Sequence, residues 1–297
     1  MRGSRVKVQD FPKFLSALGE QSGSIDPVHI LYHHLFQSGY LHFGYWSEGS
    51  GKDADLALLL EGFRSAQTRF ADELLACFPP GTYRVLDVGA GLGRFSSELA
   101  SRGHAVTAVT PCAYQAEQIA AKYPAVSVKN ARFQEVGLTL PLQGFDIILF
   151  SESFRYVALA EAFPLFERLL SRGGCVVIAD WFVHAGAKAR HGHDHDHHQL
   201  RSEAVARGFA ITEERDVTQN ILPTIKLTYD VLCELYMPLA GYVVAKVAQK
   251  YPRLYRLFLG RLLRWFERRI LPQVPGRSDP AVFAERYRYY FFVLKRA

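Results

Sequence analysis

The sequence predicts an α/β fold built on a parallel sheet, and three observations carry that prediction. From about 81 to 182, short β-rich apolar runs alternate with stretches of helical spacing, the pattern of strands joined by crossover helices. The first run, Val85-Leu86-Asp87-Val88, gives way to glycines at 89, 91 and 93, and a helical pattern follows at once. At the C-terminal end, Tyr287–Lys295 (YRYYFFVLK) reads as one more strand.

Element by element, strands are expected over Arg84–Val88, Ala105–Val109, Val126–Val128, Phe145–Phe150 and Gly174–Phe182. Helices are expected over Arg94–Arg102, Ala113–Lys122 and Ala158–Leu170. Arg207-Gly208-Phe209-Ala210-Ile211 reads as a helix end running into a strand. The stretch between that strand and the last one shows helical periodicity broken by Pro223, Pro238, Pro252, Pro272, Pro275 and Pro280. A structureless connection of that length is unusual, so it reads as a helical cap. The expected organisation is a helical N-terminal layer over 1–80, an α/β core over 81–222, a helical insert over 223–280 and a final strand over 281–297.

Composition narrows the function. The 297 residues are 49% hydrophobic and 22% charged, ordinary globular usage, and no apolar run approaches the roughly 18–20 residues that span a bilayer. No stable membrane insertion is therefore expected. Cys77, Cys112, Cys175 and Cys233 are far apart with no CxxC pair, and no signal pattern opens the chain; a reducing, cytoplasmic location is expected. The net charge is +6, but residues 253–269 hold six arginines against Glu267, or +5, which leaves +1 for the other 280 residues. Because one helix carries the excess, no phosphate-tracking groove is expected and nucleic acid is disfavoured.

The residues at 89–93 carry the sharpest chemical signal. Glycine permits positive φ and lets a ligand approach the main chain, and the helix N-terminus that follows presents free N–H groups. The spacing is GxGxG rather than the GxGxxG of dinucleotide sites, with Asp87 ahead of it. Here the chain resembles the class I S-adenosylmethionine-dependent methyltransferases, and the resemblance extends over roughly 30–220 through several ordered motifs.

That resemblance implies a Rossmann-like sheet of seven strands with the last antiparallel, and S-adenosylmethionine as cosubstrate without a metal. It assigns Asp87, Gly89, Ala90, Gly91 and Gly93 to the methionyl arm of the cosubstrate. In Val106-Thr107-Ala108-Val109-Thr110-Pro111-Cys112-Ala113-Tyr114-Gln115, Thr110 stands where most of the family has a ribose-binding acid. This is similar to the branch of cyclopropane fatty acid synthases and tocopherol methyltransferases, in which a threonine and a glutamine such as Gln115 take that role. Asn130-Ala131-Arg132-Phe133 resembles the adenine-binding turn, with Arg132 near the place of the usual acid and Phe133 expected to pack on the ring. Phe145–Val157, closely family-like, delivers Ser151 and Glu152 to the carboxyl edge of the sheet, where Asp180 and Trp181 also end a strand.

Gly39-Tyr40-Leu41-His42-Phe43-Gly44-Tyr45-Trp46 resembles the element that folds over the cosubstrate in that branch. Tyr45 and Trp46 are expected to form an aromatic lid on the sulfonium, with Phe43 packing the layer. Glu152, His42 and Tyr45 are the candidates for catalysis. His191-Gly192-His193-Asp194-His195-Asp196-His197-His198 admits three readings: metal ligands, a general base acting on an acceptor, or a solvated loop. The expected function is methyl transfer to a small natural-product or lipid-like acceptor. The alternatives are a cyclase or lyase that folds the aminobutyryl arm of the cosubstrate and releases methylthioadenosine, and a non-catalytic binding module.

Overall fold

The computed structural model describes residues 39–51, 54–184, 194–254, 260 and 279–296. Within these, helix α1 (Leu56–Leu75) precedes β1 (Arg84–Val88), α2 (Arg94–Ser101), β2 (Ala105–Thr110), α3 (Ala113–Lys122) and β3 (Ser127–Asn130). The chain continues through α4 (Phe133–Val136), β4 (Phe145–Ser151), α5 (Leu159–Leu169), β5 (Leu170–Val183), α6 (His197–Ala206) and β6 (Phe209–Asp216). It ends with α7 (Thr218–Asp230), α8 (Met237–Lys250), α9 (Pro280–Arg286) and β7 (Tyr287–Arg296).

The strands form one seven-stranded sheet in the order β3-β2-β1-β4-β5-β7-β6. β7 runs antiparallel to both β5 and β6, and the other pairings are parallel. The expected last antiparallel strand is present. The inner strands are near-continuous apolar runs because helices cover both faces: four of the five residues of β1 are buried. One core holds Phe63 and Phe70 of α1, Phe95 of α2, Ile119 of α3, Ile221 of α7 and Tyr289 and Phe291 of β7. The other holds Phe133 of α4, Phe163 and Phe166 of α5, Leu200 of α6 and Phe150, Phe292 and Leu294 of the sheet. Strand order reverses between β1 and β4, so the crevice for a ligand opens at their carboxyl ends.

The insert corrects one expectation. Pro223 lies inside α7, and Pro238 follows directly on the wider turns at Val231–Tyr236 that join α7 to α8. The result is one helix of 33 residues, Thr218–Lys250, with a stretch of mean hydropathy 1.4, long and apolar enough to cross a membrane by length and composition. The expectation that no apolar run approaches a membrane-spanning length counts unbroken apolar residues, whereas this helix is apolar on average. All four cysteines are free.

Candidate active site at the carboxyl edge of the sheet

The turn after β1 is shaped by its glycines. Gly89, Gly91 and Gly93 all adopt positive φ, and a Cβ on Gly89 would collide with the side chain of Ser153. The Gly89 and Ala90 N–H groups are spent on the Val109 carbonyl at 2.8 and 3.2 Å, which ties the turn to β2. No side chain caps α2, so its first N–H groups face the crevice. Asp87 is buried beneath the turn and accepts a 2.5 Å hydrogen bond from Ser96; burial pushes its carboxyl up to about 6 against that bond.

At the end of β2, the Thr110 hydroxyl donates to Gln115 Oε1 at 2.6 Å and accepts the Cys112 N–H at 3.2 Å. The two residues expected to act together are therefore in contact. On the next turn the structure corrects the reading. Phe133 is buried in the second core, edge-on to Phe150 at 5.4 Å, so its ring cannot stack on a purine. The Arg132 side chain is exposed, and its N–H donates to Glu135.

β4 ends in a strained turn. Glu152 has φ +59°, one of only two positive-φ residues other than glycine among the described residues. Its N–H donates to the Ala179 carbonyl of β5, and its Oε1 accepts from the Phe43 N–H at 2.7 Å and the Tyr289 hydroxyl at 3.1 Å. Burial pushes the carboxyl up to about 8, against the opposing effects of the Phe43 N–H and Arg155. Beside it, the Ser151 hydroxyl is buried with no partner among the described residues. Arg155 pairs with Asp180 at 2.7 Å and lies over Trp181, 3.6 Å from the ring centre, so this cation and anion neutralise each other. Arg155 and Tyr289 escaped the sequence reading. A signal for Tyr289 was present, since period-two alternation puts it on the same face as Phe291 and Val293.

Segment 39–46 does lie across this edge. Leu41 meets the turn at Gly91, where an added Cβ would stand 3.2 Å from it, and Phe43 stacks on Trp181 at 5.7 Å. His42 is buried between Tyr40 and Phe70. Its Nδ1 donates to the Phe43 carbonyl at 2.7 Å, its Nε2 has no partner among the described residues, and burial pushes its pKa down to about 4. Trp46 and Tyr45 do not join them. The Trp46 indole is buried against Gly62 and donates to Thr224 of α7 at 2.9 Å. Tyr45 stands by Glu73 of α1 and Arg215 of β6, an edge strand four places from β1. These two residues therefore do not form the expected aromatic lid: Trp46 packs between α1 and α7 and Tyr45 stands toward β6, while Leu41 reaches the glycine turn and Phe43 reaches Glu152.

The histidine-rich stretch is structural where it is described. His195 bonds to the Val157 carbonyl, His197 pairs with Glu214 and stacks on Tyr290, Asp196 caps α6 and Asp194 accepts from Tyr287. No cluster of metal-ligating side chains occurs among the described residues, and His191 and His193 lie outside them.

Residues 86–178 match the family model for a methyltransferase domain. The matched stretch runs from β1 into β5 and includes the glycine turn. Over 96 residues, 32% of its length, it is 31% identical to uncharacterised methyltransferases of Mycobacterium bovis and Mycobacterium tuberculosis, and the match spans 39% of their length. The fold is similar to that of a geranyl diphosphate methyltransferase solved with geranyl diphosphate and sinefungin: TM-score 0.66, 16% identity, 96% of this chain and 100% of that one. It is also similar to the (4+2)-cyclase SpnF, with TM-score 0.63, 18% identity and coverage of 95% and 94%. The site residues of this methyltransferase fold suit S-adenosylmethionine. The turn at Gly91 carries no side chain toward the crevice, α2 offers unbonded N–H groups, Thr110 and Gln115 form a neutral pair, and a buried hydroxyl at Ser151 awaits a partner.

Proposed function

We propose that this protein transfers the methyl group of S-adenosylmethionine to a small, natural-product or lipid-like acceptor held between the ends of β4 and β5 and segment 39–46. The observation that carries the reading is Glu152, held at φ +59° with its carboxyl fixed by Phe43 and Tyr289 at the edge where the glycine turn opens. When bound, the cosubstrate supplies a methyl group on a sulfonium sulfur that departs as a neutral thioether. Asp87 and the α2 N-terminus hold the amino-acid arm, where a cationic amino group restores the charge that burial disfavours on Asp87. Thr110 and Gln115 hold the ribose. Leu41, His42 and Phe43 exclude water, which favours attack on a desolvated cation.

Glu152 meets the acceptor. Burial holds its carboxyl up near 8, and a neighbouring positive charge lowers that value, so it takes the proton that a hydroxyl or amine acceptor loses on methylation. A second reading keeps the site and changes the reaction: the cosubstrate's own aminobutyryl arm is the nucleophile, and methylthioadenosine leaves. The fold leaves room for it, since one neighbour with this fold is by name a (4+2)-cyclase and not a methyltransferase.

The deciding experiment is incubation of the purified protein with S-adenosylmethionine alone, followed by mass spectrometry of the nucleosides. S-adenosylhomocysteine that accumulates only on addition of a small-molecule extract supports methyl transfer. Methylthioadenosine above the spontaneous background without any extract selects the second reading.

A further inference from the structure

The second half of the long helix serves neither core. α7 buries Thr218, Ile221, Pro223, Thr224, Ile225, Leu227 and Asp230, whereas α8 buries nothing, although it is about 21 Å long and apolar on most sides. A helix of that composition is ordinarily covered. Its faces are not equivalent. Val244, Val247 and Ala248 are half-buried, while Leu239, Tyr242 and Val243 are 54%, 60% and 52% exposed. These three share a face with Lys246 and Lys250, since the spacing i, i+3, i+4, i+7 and i+11 follows the helical repeat.

We propose that this face of α8 docks the protein on an anionic phospholipid surface, lying in the headgroup region without crossing the bilayer. The arrangement favours lipid over a second protein chain on charge. The apolar residues occupy the N-terminal part of the stripe, and the exposed cations Lys246, Lys250 and Arg253 gather at its C-terminal end. Lys246 lies over the Tyr242 ring and Lys250 over that of Tyr251, so each basic group is held beside an amphipathic aromatic, the residue pair suited to a membrane interface. A self-complementary dimer face would instead bring each lysine cluster to an apolar patch or to its own copy. Within Met237–Arg253 there is no acidic residue to oppose them. Basic charge near such a surface strengthens binding in proportion to its count and is screened by salt.

The test is flotation of the full chain with vesicles of phosphatidylcholine alone and of an equimolar phosphatidylcholine–phosphatidylglycerol mixture. The expected result is association with the mixed vesicles, weakened by salt and reduced about tenfold or more both in Leu239→Ser/Val243→Ser and in Lys246→Glu/Lys250→Glu. Melting temperature and S-adenosylmethionine affinity should stay at the parent values, because all four side chains are exposed. The proposal falls if the parent protein ignores anionic vesicles, or if both double variants float as well as the parent. It falls equally if the parent sediments as a dimer that these variants dissociate while no form floats, which gives the face to a second copy.

Discussion

The glycine turn at 89–93 and the segment at 39–46 meet at the same edge of the sheet and are held there in opposite ways. The turn is shaped by its own residues: three glycines at positive φ, two N–H bonds to the adjacent strand, and an acid buried beneath. The segment has no regular structure and is held from outside. Phe43 is anchored by Glu152, 109 residues away, and Gly44 and Trp46 by Thr224, 180 and 178 residues away. A locally determined element keeps its meaning wherever it occurs, whereas a tethered one takes its side-chain directions from whatever anchors it.

The largest expected effect breaks the tethered region. Trp46→Ala empties the space against Gly62 and strips Thr224 of a partner, and should cost about 3–5 kcal/mol in denaturant unfolding. A loss under about 1 kcal/mol would contradict its placement in the helical packing. In the local region, Gly91→Val puts a branched side chain at φ +56° and against Leu41. S-adenosylmethionine affinity, read by calorimetry, should fall at least about a hundredfold, or roughly 2.7 kcal/mol. Unchanged affinity would remove the turn from the site.

Thr224→Val leaves the buried Gly44 and Trp46 N–H groups without an acceptor and should cost about 1–3 kcal/mol, measured the same way. The smallest effect joins the two regions through Glu152. Burial holds its carboxyl up near 8 in the fold against 4.5 for a free glutamate, so the folded chain keeps a proton that the unfolded chain has lost, and stability falls as pH rises from about 4.5 to 8. Glu152→Gln should therefore raise the melting temperature by about 2–4 °C at pH 8 and leave it unchanged at pH 4. In the same variant, a rise in kcat/KM toward pH 8 should flatten; a pH profile identical to the parent's would deny Glu152 the proton.

Much of the core was legible because its signals are periodic and local. The strand at Arg84–Val88 and the helix at Ala113–Lys122 have the predicted bounds, and Thr110 and Gln115 meet because a strand end and a first helical turn fix their separation. Phe133 misled because its neighbours in sequence suit a ligand turn, while its χ directions place it on Phe150 and Phe166. The insert was harder to read, because Pro223 and Pro238 interrupt its periodicity while the helix runs on through both, with widened turns just ahead of Pro238.

By itself the sequence determined the α/β core, the glycine turn and the neutral Thr110–Gln115 pair, each set by backbone preferences or spacings within a few residues. Only the tertiary structure decided that Trp46 turns inward to Thr224, that Glu152 is clasped by Phe43 and Tyr289, and that α8 stands clear of both cores. The physical reason is that burial and hydrogen bonding between distant residues outweigh the weak local preferences of an aromatic side chain, a carboxylate or an apolar helix.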